Sequence, residues 1–214
     1  MDPRERIITE AAGMFRTYGI RAVTMDMLAS RMGMSKRTIY EIFRDKDELL
    51  KGVLEWMAEK QSRLITNVMA ESENVIEAIF KILDIMTQHF RMMSPAFRLD
   101  IRKYHNDIID KIKDAGDIPY YAKNTDILMR GIREGIFRKD IDISITNKCI
   151  LELVRLTNEN EELSPDNFGS DVILHDFFIN YIRGISTPKG LALIEFHEKK
   201  SISINKGHNK TVKE

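Results

Sequence analysis

Residues able to do covalent or metal chemistry are few in this chain, and they are scattered. Five histidines stand at 89, 105, 175, 197 and 208 with no paired spacing that favours a metal. The one cysteine, Cys149, lies in an apolar stretch where a small core residue is the expectation. There is no Gly-rich phosphate loop, no Gly-x-Ser-x-Gly elbow and no His-Glu-x-x-His. No catalytic residue, metal or cofactor is therefore expected. Polar chemistry is concentrated instead between Thr24 and Phe43, TMDMLASRMGMSKRTIYEIF. On a helix begun at Ser35, a step of 100° per residue puts Ile39, Ile42 and Phe43 on one face and Arg37, Tyr40, Glu41 and Arg44 on the other. Lys36 and Thr38 flank the polar face. Cations and hydroxyls bind phosphate oxygens, and a forked guanidinium reads base edges, so such a front suits a nucleic-acid groove. A solvated surface helix presents the same residue types.

The flanking residues supply what would position that helix. Thr24 is an N-cap for a preceding helix with Asp26 in its positive first turn, Gly33 is a left-handed stop, and Ser35 caps the helix that follows. Two short helices around a tight turn are the predicted result, an arrangement that also occurs in plain helical bundles. Upstream, Arg4 to Tyr18 reads as an amphipathic helix ended by Gly19. The three helices would share a core of Ile8, Ala11, Phe15, Val23, Leu28, Met32, Ile39 and Phe43. Downstream, Asp45-Lys46-Asp47-Glu48 is a capping box that opens a long fourth helix. Lys46 at its first position, beside free backbone N–H groups, is set to hold a phosphate.

The run MDMLASRMGMSKRTIYEIFRDKDELL resembles the DNA-binding signature of TetR-type transcriptional regulators, and the likeness continues unbroken from about Arg4 to Leu50. The resemblance implies that Thr24, Ser35, Lys36, Tyr40 and Lys46 touch phosphates of double-stranded DNA, while Arg37 and Thr38 read bases. Two positions depart from the usual pattern. Arg37 stands where a small residue is common, and Glu41 where many relatives carry a neutral or basic one. The resemblance also implies a homodimer, a small-molecule inducer and most often a repressor. The competing reading is a helical enzyme or ligand-binding protein with no DNA role.

At 214 residues, with 43% hydrophobic and 31% charged, the chain has the composition of a soluble globular protein. It has no apolar run of about 18 residues and no basic-then-apolar opening, so neither a membrane span nor a secretory signal is expected, and a cytoplasmic location is. Net charge is zero but uneven. Residues 1–46 carry nine Lys/Arg against six Asp/Glu, residues 47–197 carry 19 against 25, and residues 198–214 five against two. A mildly basic head on an acidic body suits a DNA-facing N-terminus.

The expected fold is all-α with about nine helices: a helix-turn-helix domain over 1–46, a helical ligand-binding and dimerisation domain over 47–197, and a disordered basic tail over 198–214. Helices are predicted to about Asn67, from Val75 to Met93, from Phe97 to Ala115, from Pro119 to about Phe137, from Ile143 to Glu159, from Ser170 to Ile185, and a last one over Thr187 to Phe196. The pair before the last is apolar over so much of its circumference that a second subunit is the expected cover, with Val154, Phe177, Phe178 and Tyr181 in the interface. In the middle helices, large flexible side chains accumulate at Met86, Phe90, Met92, Met93, Phe97, Tyr104, Met129 and Phe137. The resemblance implies an inducer pocket in this region, for which Met86, Phe90, Met93, Phe97, Tyr104 and Met129 are the candidate contacts, with His89, His105 or Asn124 as polar ones.

Overall fold

The computed structural model describes residues 2–104, 120–159 and 176–208, and it is all-α: among these residues ten helices and one isolated bridge, Phe137 with Ser186. Helix α1 is Pro3–Tyr18, α2 Met25–Met32, α3 Lys36–Ile42, α4 Lys46–Glu71 and α5 Val75–Arg91. Helix α6 is Pro95–Tyr104, α7 Tyr120–Arg133, α8 Ile143–Glu159, α9 Phe178–Ile185 and α10 Pro188–His208.

Two compact units emerge. The first contains residues 1–64 and 88–120, the second 65–87 and 121–214. The division does not fall at residue 46, because α6 packs with the N-terminal helices. Phe97, which the sequence suggested as an inducer contact, is buried in the same cluster as Phe15, Leu28, Ile39 and Phe43. All eight core residues anticipated for the head are in that cluster, joined by Ile7, Ile20, Leu49, Leu50 and Val53. Removing so much apolar surface from water is the main force holding α1 to α3 against α4 and α6.

The second unit is built around Val75, Ile76, Phe80, Leu128, Ile136, Phe137, Ile179, Ile182 and Ile194. Its polar knot is Arg130. The guanidinium donates to Glu134 Oε1 at 2.5 Å, to the Ser72 carbonyl at 2.7 Å and to the Met69 carbonyl, while Glu134 Oε2 accepts the Val75 N–H at 2.8 Å. One ion pair thus satisfies the orphan carbonyls at the end of α4 and an orphan N–H at the start of α5. Helix α7 stops at Arg133 instead of Phe137, because Gly135 turns left-handed at φ 67° and the N–H groups of Ile136 and Phe137 both fold back onto the Gly131 carbonyl. Phe137 then packs over Gly131, so closely that a Cβ on that glycine would lie 2.1 Å from the ring.

Two further expectations change. Cys149 is exposed rather than in a core, because it shares a face of α8 with Ile145, which is 62% exposed. Helix α10 continues to His208 where disorder was expected beyond Glu198; its Glu198 pairs with Arg183 on α9. The start of the helix predicted from Ser170, the end of the one predicted to Ala115, His105 and residues 209–214 lie outside the described residues.

Candidate nucleic-acid interface

The head is assembled by caps that match its sequence. The Thr24 hydroxyl accepts the Met27 N–H at 3.1 Å, and Gly33 ends α2 in the left-handed region at φ 63°, with the Met34 N–H returning to the Ala29 carbonyl at 3.0 Å. The Ser35 hydroxyl accepts the Thr38 N–H at 3.1 Å and lies 2.8 Å from the Thr38 hydroxyl. Ile39 is fully buried beneath α3, and the Arg4 guanidinium sits 5.2 Å from the centre of the buried Phe43 ring. Those contacts fix which side of α3 faces water.

The outward side carries Lys36, Arg37 and Tyr40. Lys36 Nζ bonds Asp26 Oδ2 at 2.7 Å, which ties the start of α3 to the start of α2; that carboxylate holds the ammonium pKa above its ordinary value. The same ammonium lies 5.9 Å from the Tyr40 ring centre. Arg37 has the most open side chain of the set, 88% exposed, and its Nε donates to Glu41 Oε1 one turn on at 3.0 Å. An ion pair this exposed is worth little, so the guanidinium can leave it for a stronger acceptor at slight cost. Thr38 is half-buried beside Ser35.

Five of the seven predicted DNA contacts, Ser35, Lys36, Arg37, Thr38 and Tyr40, lie on α3 or at its cap, and a sixth, Thr24, caps α2. The seventh, Lys46, is placed differently. Its ammonium donates to the Val23 carbonyl at 2.5 Å, inside the first unit, and burial pushes its pKa down, against the opposing pull of Asp100 and Asp47. Around it the α4 start is capped as expected: Asp45 Oδ1 accepts the Glu48 N–H at 2.8 Å, while Glu48 Oε2 accepts the Arg44 N–H at 2.7 Å, one residue before the usual reciprocal partner. The hydrogen bonds to its carboxylate lower the Asp45 pKa.

Arg44 was not among the predicted contacts. Its side chain is 85% exposed just past α3, paired with Asp45 at 3.0 Å. The helical projection had already put it on the polar face. Asp100, which reaches the head from α6, gave no local signal at all.

The inducer candidates divide between the two units. Phe97 and Met93 pack in the head cluster, and Phe90 lies under the Arg98 guanidinium at 4.6 Å. Met86 is half-buried in the second unit, where Met129 is 36% exposed, and the Tyr104 side chain lies outside the described residues. Of the dimer candidates, Phe177 is 46% exposed, and Phe178 and Tyr181 are half-buried, the Tyr181 hydroxyl donating to the Thr146 carbonyl at 3.2 Å. The Val154 side chain is outside the described residues. No helix among the described residues is long and apolar enough to cross a membrane.

Residues 7–53 match the model of the family described as bacterial regulatory proteins, tetR family. The chain is 29% identical over 104 residues to the uncharacterized HTH-type transcriptional regulator YvaF of Bacillus subtilis (strain 168), an alignment spanning 48% of this chain and 54% of that one. It is 26% identical over 155 residues to the HTH-type transcriptional repressor KstR2 of Mycobacterium tuberculosis (strain ATCC 25618 / H37Rv), covering 69% of this chain and 75% of the relative. The solved structure of KstR2, a ketosteroid transcriptional regulator, shares the fold at TM-score 0.51 and 20% identity over 87% of this chain and 96% of that one. A transcriptional regulator from Cytophaga hutchinsonii ATCC 33406 shares it at TM-score 0.69 and 19% identity, over 86% and 98%. All of these relatives are transcriptional regulators by description. With its capped helix-turn-helix and outward cationic α3, the segment 7–53 carries the DNA-binding domain of the tetR family of bacterial regulatory proteins, on a fold shared with transcriptional regulators across most of the chain's length.

Proposed function

We propose that this protein is a cytoplasmic repressor that binds a near-palindromic operator as a homodimer and leaves it when a small, mostly apolar molecule binds the body. The observation that carries the DNA half is the open Arg37 guanidinium on a helix whose back is locked into the core. In this reading Arg37 and Thr38 read bases, Lys36, Tyr40, Thr24 and Ser35 hold phosphates, and Lys46 adds a phosphate contact with the donors that Val23 leaves over. The name of the repressor KstR2 supports the sign of regulation. The same relative's description as a ketosteroid regulator supports an apolar ligand, for which Met86 and Met129 in the second unit are the candidate contacts. The mechanism is a population shift: the ligand favours, by a few kcal/mol, a body state in which the two heads no longer fit the operator.

The test begins with selection of duplexes from a randomised pool by the wild-type protein. An enriched near-palindrome is expected. Arg37→Ala should then lose about 1–3 kcal/mol per half-site and relax preference at a guanine, with random DNA little affected. Glu41→Gln should do the reverse, tightening binding about twofold to fivefold at low salt by removing a competing carboxylate. Equal losses for Arg37→Ala on selected and random duplexes would take it out of base reading. For the ligand, one compound should raise the melting temperature and lower affinity for the selected duplex together; stabilisers that leave DNA affinity alone would end the induction reading.

For the dimer, the supporting observation is apolar surface left open on one chain, Ile145 on α8 and Phe177 just before α9. Phe177→Glu should leave each chain folded, since the side chain is not core, yet raise the dimer dissociation constant about a hundredfold or more. Sedimentation across a concentration series reads this directly; a monomeric wild type at micromolar concentration would refute the assembly.

A further inference from the structure

The turn between α1 and α2, residues 19–24, sets the direction in which α2 and therefore α3 leave the head; two distant segments grip it, and a third grips the last turn of α1 just before it. From α6, the Asp100 carboxylate accepts the Arg21 N–H at 2.8 Å across 79 residues of sequence. Asp100 is only 7% exposed, and the same Oδ2 lies 3.0 Å from where a Cβ on Gly19 would sit, with the Ala96 Cβ at 2.9 Å. Gly19 has φ 86°, so no other residue fits there without both backbone strain and a collision with α6. From the α5–α6 corner, the Ser94 N–H donates to the Arg16 carbonyl at 2.9 Å. From α4, the Lys46 ammonium holds the Val23 carbonyl at 2.5 Å. Lys46 and Asp100 grip the turn two residues apart with opposite charge.

A carboxylate buried this deeply is costly unless something holds it, and a hydrophobic residue would pack against Gly19 and Ala96 at less cost. Its bond goes to the backbone N–H of Arg21 in that turn. We propose that Asp100 is a positioning residue for DNA recognition: through the Arg21 N–H it clamps the α1–α2 turn onto α6, so that the aim of the reading helix depends on where α6 sits. Contact with a random duplex is mostly phosphate neutralisation by open cations and tolerates a tilted head. Base reading does not, because a forked donor misplaced by about 1 Å loses its partner. The clamp therefore acts on discrimination between duplexes more than on binding as such.

The experiment uses the full-length protein and the duplex enriched by selection, beside a random duplex of equal length, with a melting curve for each variant. Asp100→Ala should weaken the enriched duplex about tenfold and the random one less than about twofold. Asp100→Asn, which keeps the shape and a carbonyl acceptor for Arg21, should restore the enriched duplex to within about threefold of wild type. Gly19→Ala, which pushes α6 away from the other side, should repeat the Asp100→Ala pattern and serves where that variant does not fold. A folded Asp100→Ala with wild-type preference, an Asn variant as weak as the Ala one, or losses equal on both duplexes would each overturn the proposal. Failure to enrich any duplex strikes instead at operator binding itself, which keeps the two failures apart.

Discussion

Phe43→Ala should unfold the reading head at ordinary temperature, losing about 3–5 kcal/mol. The ring is fully buried where α1, α3 and α4 meet, beneath the Arg4 guanidinium, and it closes α3 as the C-cap whose N–H returns to the Ile39 carbonyl at 2.9 Å. Truncation leaves a cavity that Leu28, Ile39 and Leu50 cannot collapse to fill, because each is already buried against other neighbours. A melting curve should show the head unfolding well below the rest, and binding should vanish for selected and random duplexes alike. Phe43→Leu, which keeps most of the volume, should cost under about 2 kcal/mol and retain binding. Wild-type melting in Phe43→Ala would mean that the ring is not the keystone of this core.

The second large effect is expected far from the DNA face. Arg130→Ala should cost roughly 2–4 kcal/mol, read as a lower urea midpoint at unchanged slope. The side chain is 19% exposed and its partner Glu134 24%, so the pair is partly shielded from water, and its loss strands the carbonyls of Met69 and Ser72 together with the Glu134 charge. Arg130→Lys should recover less than half, since an ammonium is a point donor and cannot serve two carbonyls and a carboxylate in one plane. If lysine restores full stability, the fork geometry is irrelevant and only the charge matters.

The contrast between these two sites explains what could be read from the amino-acid order. In the head nearly every instruction is local. Thr24, Gly33 and Ser35 each act within four residues, and the apolar faces of three short helices had only one way to meet, so the core from Ile8 to Phe43 and the outward placement of Arg37 and Tyr40 followed from caps and periodicity. What escaped was long-range. Nothing near Phe97 or Asp100 indicates that α6 joins the N-terminal helices, and nothing near Lys46 indicates that the Val23 carbonyl claims its ammonium. In the body, helical spacing through Phe137 hid a stop that only Gly135 in its left-handed state creates. Apolar content around Cys149 suggested burial, but its position one turn beyond Ile145 puts it on an open face. Met-rich stretches show adaptability and not address, so nothing local marks Met93 and Phe97 as members of the head cluster.

That open face has a practical consequence. The chain carries a single cysteine, and it is exposed on α8, so a maleimide dye or nitroxide attaches at one known point without any engineering. The rate of alkylation becomes a clock for whatever covers that surface. If two chains meet there, labelling should slow as protein concentration rises, and a pair of spin labels should report one sharp separation; if they meet elsewhere, the thiol should react at a constant rate at every dilution.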